Sequence, residues 1–162
     1  MTYRIAVVCL GNICRSPMAH VILEARLEAA GLSDRVEVVS AGTGGWHTGE
    51  PMDKRAATVL RDSGYDPSHH VARKFNIDWY ADNDLLLAMD ESNYADMADI
   101  SPNIASLAKL RLFRDFDPKA TKTDNEVPDP WYGELDGYRL VLAMVERTAD
   151  NLVKQLPELI SH

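Results

Sequence analysis

The sequence predicts a single α/β domain, residues 1–162, in which a parallel sheet has helices on both faces. Short apolar segments rich in β-branched residues alternate with segments of helical periodicity, which is typical of this class. The first apolar segment, residues 3–8, is apolar at nearly every position, as in a strand buried on both faces. The length of 162 residues suits one domain with one core.

The first strand leads into a tight loop at 9–16 and then into a helix. Ser16 and Pro17 are the residue types preferred at an N-cap and at the first helical position, and Gly31 marks the end of the helix. The apolar residues of this segment recur at helical spacing: Met18, Val21, Ile22, Ala25 and Ala29.

The rest of the chain continues the alternation. We predict, in order, strand 36–40, a glycine-rich loop at 41–49, helix 53–63, strand 85–89, helix 91–98, strand 110–113, an acidic loop at 119–136 and helix 136–156. The last helix has a continuous apolar face: Val141, Met144, Val145, Thr148, Leu152 and Leu156.

The charge and the cysteine count exclude several classes of function. A net charge of −8 argues against nucleic acid or an anionic membrane as the main partner. Two cysteines cannot form a disulfide framework, and the N-terminus lacks the pattern of a signal peptide, so we expect a cytoplasmic protein; export by a route that leaves no sequence signal is the alternative. No apolar run approaches the ~20 residues of a membrane span. No spacing of His, Cys or Asp is typical of a metal site, and we expect no cofactor.

The loop between the first strand and the first helix has the composition of an anion site. Ligands of open α/β sheets bind at the carboxyl ends of strands, and a helix N-terminus there offers free N–H groups. Gly11 and Asn12 allow the backbone to curl so that its amides point inward. A thiol at Cys9 would ionise easily and attack phosphorus, while Arg15 would bind two phosphate oxygens. The alternatives are that Cys9 is a buried strand-end residue and Ser16 a plain helix cap.

Several motifs together resemble the low-molecular-weight protein tyrosine phosphatases. These are CLGNICRSP at 9–17, SAGT at 40–43, Trp46, HVAR at 70–73, MDESN at 89–93 and DPWYG at 129–133, and they span essentially the whole chain in the family's order. The resemblance implies a four-stranded parallel sheet and a metal-free reaction through a phosphocysteine on Cys9. Phosphotyrosine-containing proteins are then the expected substrates, and we expect a monomer.

The resemblance also implies roles for individual residues. The loop residues Leu10, Gly11, Asn12, Ile13, Cys14 and Ser16 would bind phosphate, and Ser16 would help the thiolate to leave. Asn12, Ser40 and His70 would support the loop. An Asp between prolines can be a simple turn residue, but the family's late DP motif makes Asp129 the general acid and base. Nearby Glu126 and Glu134 could keep it partly protonated.

The aromatic residues Trp46 and Trp131, with a contribution from Tyr132, are candidate walls of a slot for a phenyl ring; the alternative is that each is a core or surface residue. Family members commonly have Tyr where this chain has Trp131. Asp90 is expected to be a strand-end support or a helix cap. Cys14, where the family often has a second cysteine, could form a reversible disulfide with an oxidised Cys9 or be a small packing residue.

Three other functions remain open. A thioredoxin-linked arsenate reductase of this fold needs a downstream cysteine pair, and no cysteine follows Cys14. Phosphoarginine phosphatases of this fold tend to have Thr where this chain has Ile13. A non-catalytic phosphotyrosine-binding or redox-sensing module would need neither the nucleophile nor the acid.

Overall fold

The fold is a four-stranded, all-parallel sheet, which confirms the predicted class. A computed structural model of the chain describes residues 1–161, and its strands are β1 (Tyr3–Cys9), β2 (Val36–Gly42), β3 (Leu85–Ala88) and β4 (Leu110–Leu112). Their order across the sheet is β2-β1-β3-β4, so β1 is central. The register pairs Val7 of β1 with Ser40 of β2 and Leu87 of β3.

Helices lie against both faces of the sheet. They are α1 (Arg15–Ala29), α2 (Lys54–Asp62), α3 (Trp79–Asp82), α4 (Glu91–Asp99), α5 (Ile104–Leu107) and α6 (Leu135–Ile160), with a 3₁₀ turn at Phe113–Phe116. None of those formed by residues 1–161 combines the length and the apolarity that a membrane-spanning helix needs.

Strand β1 separates two hydrophobic cores. Ile5 and Val7 belong to the larger core together with residues of α1, α2 and α6, whereas Ala6 and Val8 face a smaller core that contains Tyr80 and Met97. All four β1 residues have zero solvent exposure. Successive side chains of a strand point to opposite faces, so burial on both faces explains the unbroken apolar run in the sequence.

The prediction that Ser16 is the N-cap of the first helix is wrong. The helix begins at Arg15, with Cys14 at the N-cap position and no side-chain cap, and Ser16 lies inside the first turn. The hydroxyl of Ser16 instead contacts Cys9 and the carbonyl of Ala41. The loop that precedes the helix, rather than a capping hydroxyl, therefore sets where the helix starts.

The other boundaries differ by a few residues. Strand β2 continues beyond the predicted end to Gly42, and α6 continues beyond the predicted end through Pro157 to Ile160. The four-residue helices α3 and α5 were not predicted, because one turn is too short to show a helical period. Asp53 caps α2 by accepting a hydrogen bond from the Arg55 N–H.

A buried ion-pair network joins the 3₁₀ turn to α6. The carboxylate of Asp117, whose side chain is fully buried, accepts from Arg114 Nε at 2.8 Å and from Arg147 Nε and Nη2 at 2.7 and 2.8 Å. Burial alone would raise the pKa of Asp117, but the hydrogen bonds from Arg147, the Lys119 N–H and Arg114 outweigh it and lower the pKa.

Replacing Asp117 by Asn should destabilise the fold by about 3 kcal/mol at pH 7, because two arginines would lose a buried partner. Since the pKa of Asp117 is lowered in the folded state, its stabilisation is present above about pH 4 and is lost as the pH falls further. Urea denaturation at pH 7 and at pH 3 measures both effects. Asp124→Asn is the matched control, because Asp124 pairs with the same Arg114 but is 70% exposed, and should cost about 1 kcal/mol or less. Equal costs for the two variants would contradict this description of the network.

Candidate active site

The loop of residues 9–16, here called the phosphate loop, lies at the carboxyl end of the central strand. Cys9 is the last residue of β1 and Arg15 is the first residue of α1. The loop is therefore held at one end by the sheet and at the other by a helix whose N–H groups face it. Cys9 and Arg15, the two residues predicted to act on phosphate, therefore lie at the two ends of this loop.

Asn12 sets the curvature of the phosphate loop. Its φ is +57°, the only positive φ of a non-glycine residue in the described part of the chain. Its side-chain oxygen accepts from the Arg73 N–H at 2.9 Å, and its side-chain nitrogen donates to Ser16 Oγ at 2.8 Å. Its carbonyl accepts from His70 Nε2 at 2.7 Å, and its own N–H points to Cys9 Sγ at 3.3 Å. The left-handed backbone is thus fixed by four hydrogen bonds.

The thiol of Cys9 is buried and surrounded by donors. Besides the Asn12 N–H, Ser16 Oγ lies 3.0 Å from the sulfur. The Ser16 oxygen already accepts from Asn12, so its own hydrogen is free to donate, and the carbonyl of Ala41 is the more distant acceptor at 3.4 Å. The Asn12 N–H and the Ser16 hydroxyl thus both lie within 3.3 Å of the sulfur.

Arg15 is nearly completely buried and is oriented by acidic and carbonyl groups. Its Nη1 donates to Asp90 Oδ2 at 2.6 Å and to the carbonyl of Val127 at 3.0 Å, and its Nη2 lies 3.6 Å from Asp129 Oδ2. Burial alone would lower the pKa of Arg15, but Cys9 and Asp90 outweigh it and raise the pKa. The guanidinium therefore remains charged. Asp90 also caps α4, so it has both of the roles that the sequence suggested.

The glycine-rich loop after β2 contacts the phosphate loop through its backbone. The N–H groups of Thr43 and Gly44 donate to the carbonyls of Cys9 and Leu10, each at 2.9 Å. A Cβ on Gly42 would lie 2.7 Å from the Leu10 carbonyl oxygen, too close for any side chain. Glycine at position 42 is therefore required for the two loops to approach.

A pocket of about 230 Å³ opens above the phosphate loop. The aromatic residues Trp46, Trp131 and Tyr132 lie at its rim and are 72%, 38% and 94% exposed. Its lining is formed by Cys9, Leu10, Gly11, Ile13, Cys14, Arg15, Trp46, His47, Asp129, Trp131 and Tyr132. Asn12 and Ser16, which were also predicted to bind phosphate, are completely buried behind this lining.

His47 lines the pocket and was missed by the sequence reasoning. Its ring lies 5.9 Å from the ring of Trp131, and its Nδ1 is bonded to Glu50. The one feature of the sequence that could have indicated a place for His47 at the pocket is its position directly after Trp46 in the glycine-rich loop. The Trp46 ring itself lies over Gly44, where a Cβ would be 1.9 Å from Cζ3. The glycines of this loop thus make room for the wall of the pocket.

Besides Asn12, two supports of the loop were predicted, His70 and Ser40, and the structure places them differently. His70 contacts the loop directly, and because a carbonyl can only accept, its Nε2 must carry the hydrogen that bonds Asn12. Burial lowers the pKa of His70 to about 4, so this histidine is neutral near pH 7. Ser40 is buried, but its recorded hydrogen bond is to His20 Nδ1 at 3.2 Å and not to the phosphate loop.

Cys14 is buried; it lines the pocket and also contacts α6. Its Sγ lies 3.3 Å from the hydroxyl of Tyr138. Burial raises the pKa of Cys14 to about 12, so its thiol stays protonated at neutral pH. Both cysteines are free thiols.

Asp129 lies on the segment 127–133, here called the acid loop. Its side chain is 38% exposed, and its Oδ1 accepts from the Trp131 N–H at 3.1 Å. Glu126, predicted to influence this carboxyl, instead accepts from the Glu91 N–H at 2.8 Å. No group of three or more His, Cys, Asp or Glu side chains within residues 1–161 is placed to hold a metal ion.

The fold and the site define a class of proteins: parallel α/β proteins with an anion-binding loop between the first strand and the first helix. Comparison with known proteins identifies the family. Residues 4–161 match the model of the low molecular weight phosphotyrosine protein phosphatase family. The chain therefore belongs to this family, as its motifs indicated.

Two relatives and one solved structure illustrate the similarity. A low molecular weight protein-tyrosine-phosphatase of Streptomyces coelicolor is 46% identical over 98% of this chain and 96% of that protein. A low molecular weight protein-tyrosine phosphatase A of Mycobacterium tuberculosis is 40% identical over 90% of this chain and 86% of that protein. The crystal structure of a protein tyrosine phosphatase from Entamoeba histolytica, with Hepes in the active site, is 31% identical. It superposes with a TM-score of 0.91 over 97% of this chain and 98% of that chain.

His70→Ala should destabilise the protein by about 1–2 kcal/mol at pH 7, because it leaves the Asn12 carbonyl without its donor. The cost should shrink at pH 5. The pKa of His70 is about 4 in the folded state and ~6.5 unfolded, so below pH 6.5 the unfolded wild type gains a proton that the folded form does not, and wild-type stability falls. Urea denaturation at both pH values, with the exposed neighbour variant His69→Ala as control, checks this. A cost independent of pH would contradict a buried, neutral His70.

Proposed function

We propose that the protein hydrolyses phosphotyrosine in proteins through a phosphocysteine formed on Cys9. The observation that carries this proposal is the convergence of Cys9, Arg15 and Asp129 on one pocket with aromatic side chains at its rim. Membership of the family and the names of its relatives support the substrate class.

In the first step the Cys9 thiolate attacks phosphorus, the S–P bond forms and the bond from phosphorus to the tyrosine oxygen breaks. Asp129, in its acid form, gives its proton to the leaving phenolate. Nη1 of Arg15 is already used by Asp90 and Val127, which leaves the Nε and Nη2 edge to bind two equatorial phosphate oxygens. The inward N–H groups of the phosphate loop stabilise the remaining charge.

In the second step water attacks the phosphocysteine, Asp129 accepts a proton from the water, and Cys9 leaves as thiolate. Ser16 Oγ, 3.0 Å from the sulfur, donates a hydrogen bond to the departing thiolate. Inorganic phosphate is released, and the protonated Asp129 is ready for the next cycle.

The depth of the pocket favours an aryl phosphate. Cys9 lies at the base, 3% exposed, and Trp46 and Trp131 lie at the rim. A phosphotyrosine ring spans this depth and packs between aromatic faces, whereas the shorter phosphoserine side chain does not reach the base.

The rival functions fit less well. No cysteine follows Cys14, so the relay of an arsenate reductase lacks its resolving pair. Ile13 lines the pocket and suits packing on a phenyl ring, while it offers no partner to the guanidinium of phosphoarginine. A binding module would need neither the directed thiol of Cys9 nor the adjacent Asp129.

We also propose redox control of the same thiol. Hydrogen peroxide would oxidise the Cys9 thiolate to a sulfenic acid and be reduced to hydroxide. Attack of Cys14 on that sulfur would then form the S–S bond, and the sulfenic oxygen would leave as water with the Cys14 proton. Because burial keeps Cys14 protonated, Cys9 would be the thiol oxidised first. Two thiols that must return to the reduced state suit a cytoplasmic protein.

The substrates are phosphotyrosine proteins, and a monomer is the expected state.

Cys9→Ser should lower kcat by a factor on the order of 10⁴ or more and keep the affinity for phosphate within about threefold, because the loop amides and Arg15 remain. Arg15→Lys should greatly lower both kcat and the affinity for phosphate, since an ammonium cannot bind two oxygens in a plane. A panel of phosphotyrosine, phosphoserine and phosphoarginine peptides measures the substrate class. Near-normal turnover by Cys9→Ser, or efficient phosphoserine hydrolysis by the wild type, would contradict the proposal.

Asp129→Asn should slow hydrolysis of aryl phosphates with strongly basic leaving groups by a factor on the order of 10²–10³. The loss should become small when the leaving group is weakly basic, because such a group departs without a proton. The slope of log kcat against leaving-group pKa is the measurement. An equal loss for every leaving group would show that Asp129 does not protonate the phenolate.

A further inference from the structure

We propose that Arg55 is a positioning residue for the general acid: it fixes the acid loop against the phosphate loop and thereby places the carboxyl group of Asp129. This inference rests on the proposed function, since it assumes that Asp129 is the acid. Arg55 is the second residue of α2 and, within the described chain, is not among the residues that line the pocket. Its effect on the reaction must therefore pass through other residues.

The guanidinium of Arg55 binds the backbone of the acid loop at two points. Its Nη1 donates to the carbonyl of Trp131 at 3.1 Å and to the carbonyl of Gly133 at 2.8 Å. Both carbonyls belong to a loop without regular secondary structure, between Val127 and the start of α6. One side chain thus supplies two donors to backbone groups that have no helix or sheet partner there.

Trp131 links this contact to the acid. Its carbonyl accepts from Arg55, and its N–H donates to Asp129 Oδ1 at 3.1 Å. The carboxyl of Asp129 is therefore held by a residue that Arg55 holds in turn. A shift of Trp131 would move Asp129 away from its position 3.6 Å from Arg15 Nη2.

Arg55 is itself fixed to the phosphate loop. Asp53 accepts from its Nε and Nη2, each at 3.0 Å, and the N–H of Asp53 donates to the carbonyl of Ile13 at 2.8 Å. Burial alone would raise the pKa of Asp53, but hydrogen bonds from Arg55 outweigh it and lower the pKa, so the pair stays ionised. A continuous path of hydrogen bonds thus runs from Ile13 through Asp53, Arg55 and Trp131 to Asp129.

The same guanidinium also orients a wall of the pocket. It lies 5.4 Å from the centre of the Trp131 ring and 4.8 Å from the centre of the Tyr138 ring, distances at which a cation is attracted to an aromatic face. All three guanidinium nitrogens of Arg55 donate hydrogen bonds, to one carboxylate and to two carbonyls, while the guanidinium plane lies near two aromatic rings. A lysine ammonium cannot reproduce this arrangement.

The test compares Arg55→Ala and Arg55→Lys with Asp129→Asn, with the double variant Arg55→Ala/Asp129→Asn and with Arg61→Ala. Arg61 is an exposed arginine in the last turn of the same helix and serves as the matched control. The readouts are kcat on phenyl phosphate and on nitrophenyl phosphate, the inhibition constant of inorganic phosphate, and the melting temperature of each variant.

Arg55→Ala should lower kcat on phenyl phosphate about 10–100-fold, because a displacement of the acid by about 1 Å has a cost of this size. The loss on nitrophenyl phosphate should be below about threefold, and phosphate inhibition should change by less than about twofold. Arg55→Lys should recover little of the loss, and Arg61→Ala should match the wild type. The double variant should be no slower than Asp129→Asn, within about twofold, because both changes remove the same function.

Equal losses on both substrates, or losses that multiply in the double variant, would overturn the proposal even if every variant folds. If Asp129→Asn shows the leaving-group dependence and neither Arg55 variant does, only the role of Arg55 is wrong. If Asp129→Asn itself shows none, the general acid has been misassigned, and the role of Arg55 is overturned with it.

Discussion

The site depends on one backbone constraint, the left-handed conformation of Asn12 in the phosphate loop. The φ of Asn12 is +57°, and this conformation would be costly without the hydrogen bonds that Asn12 accepts from His70 and Arg73 and the one that it donates to Ser16. The same residue sends one N–H to the sulfur of Cys9 and orders the hydroxyl of Ser16 beside it. The position of the Cys9 thiol and the curvature of the phosphate loop therefore depend on the same residue.

Charge balance is the second requirement. Arg15 is buried at the base of the pocket, where an unpaired charge would be costly, and Asp90 compensates it from the carboxyl end of β3. Asp90 pairs with Nη1 of the guanidinium, whereas Nη2 lies beside Asp129. Asp129 lies at the outer side of the same cation, on a loop held by Arg55. Cys9, Arg15 and Asp129 thus come from three chain segments that meet at one pocket.

The sequence predicted the parts of this arrangement that are local. Buried apolar runs identified the four strands, and Gly, Asn, Cys and Arg between a strand and a helix identified the anion loop. Long-range contacts left no local pattern. The pairing of Asp53 with Arg55 looks like an ordinary helix N-terminus, and nothing near Arg55 indicates that it reaches Trp131. Two roles were predicted for Ser16, an N-cap and a contact with the Cys9 thiolate; its hydroxyl lies 3.0 Å from Cys9 Sγ and does not cap the helix. His47 lies at the pocket because the glycine-rich loop folds over Gly11, and this long-range contact has no local sequence pattern.

The proposed reaction requires that phosphate passes through the sulfur of Cys9. A rapid-quench experiment tests this step: enzyme and a phosphotyrosine peptide are mixed, the reaction is stopped within one turnover by rapid denaturation, and the phosphate is located by mass spectrometry. We predict one transient phosphate on Cys9 in the wild type, formed before inorganic phosphate is released and absent from Cys9→Ser. Product released with no phosphoenzyme at any time, or phosphate on another residue, would contradict it.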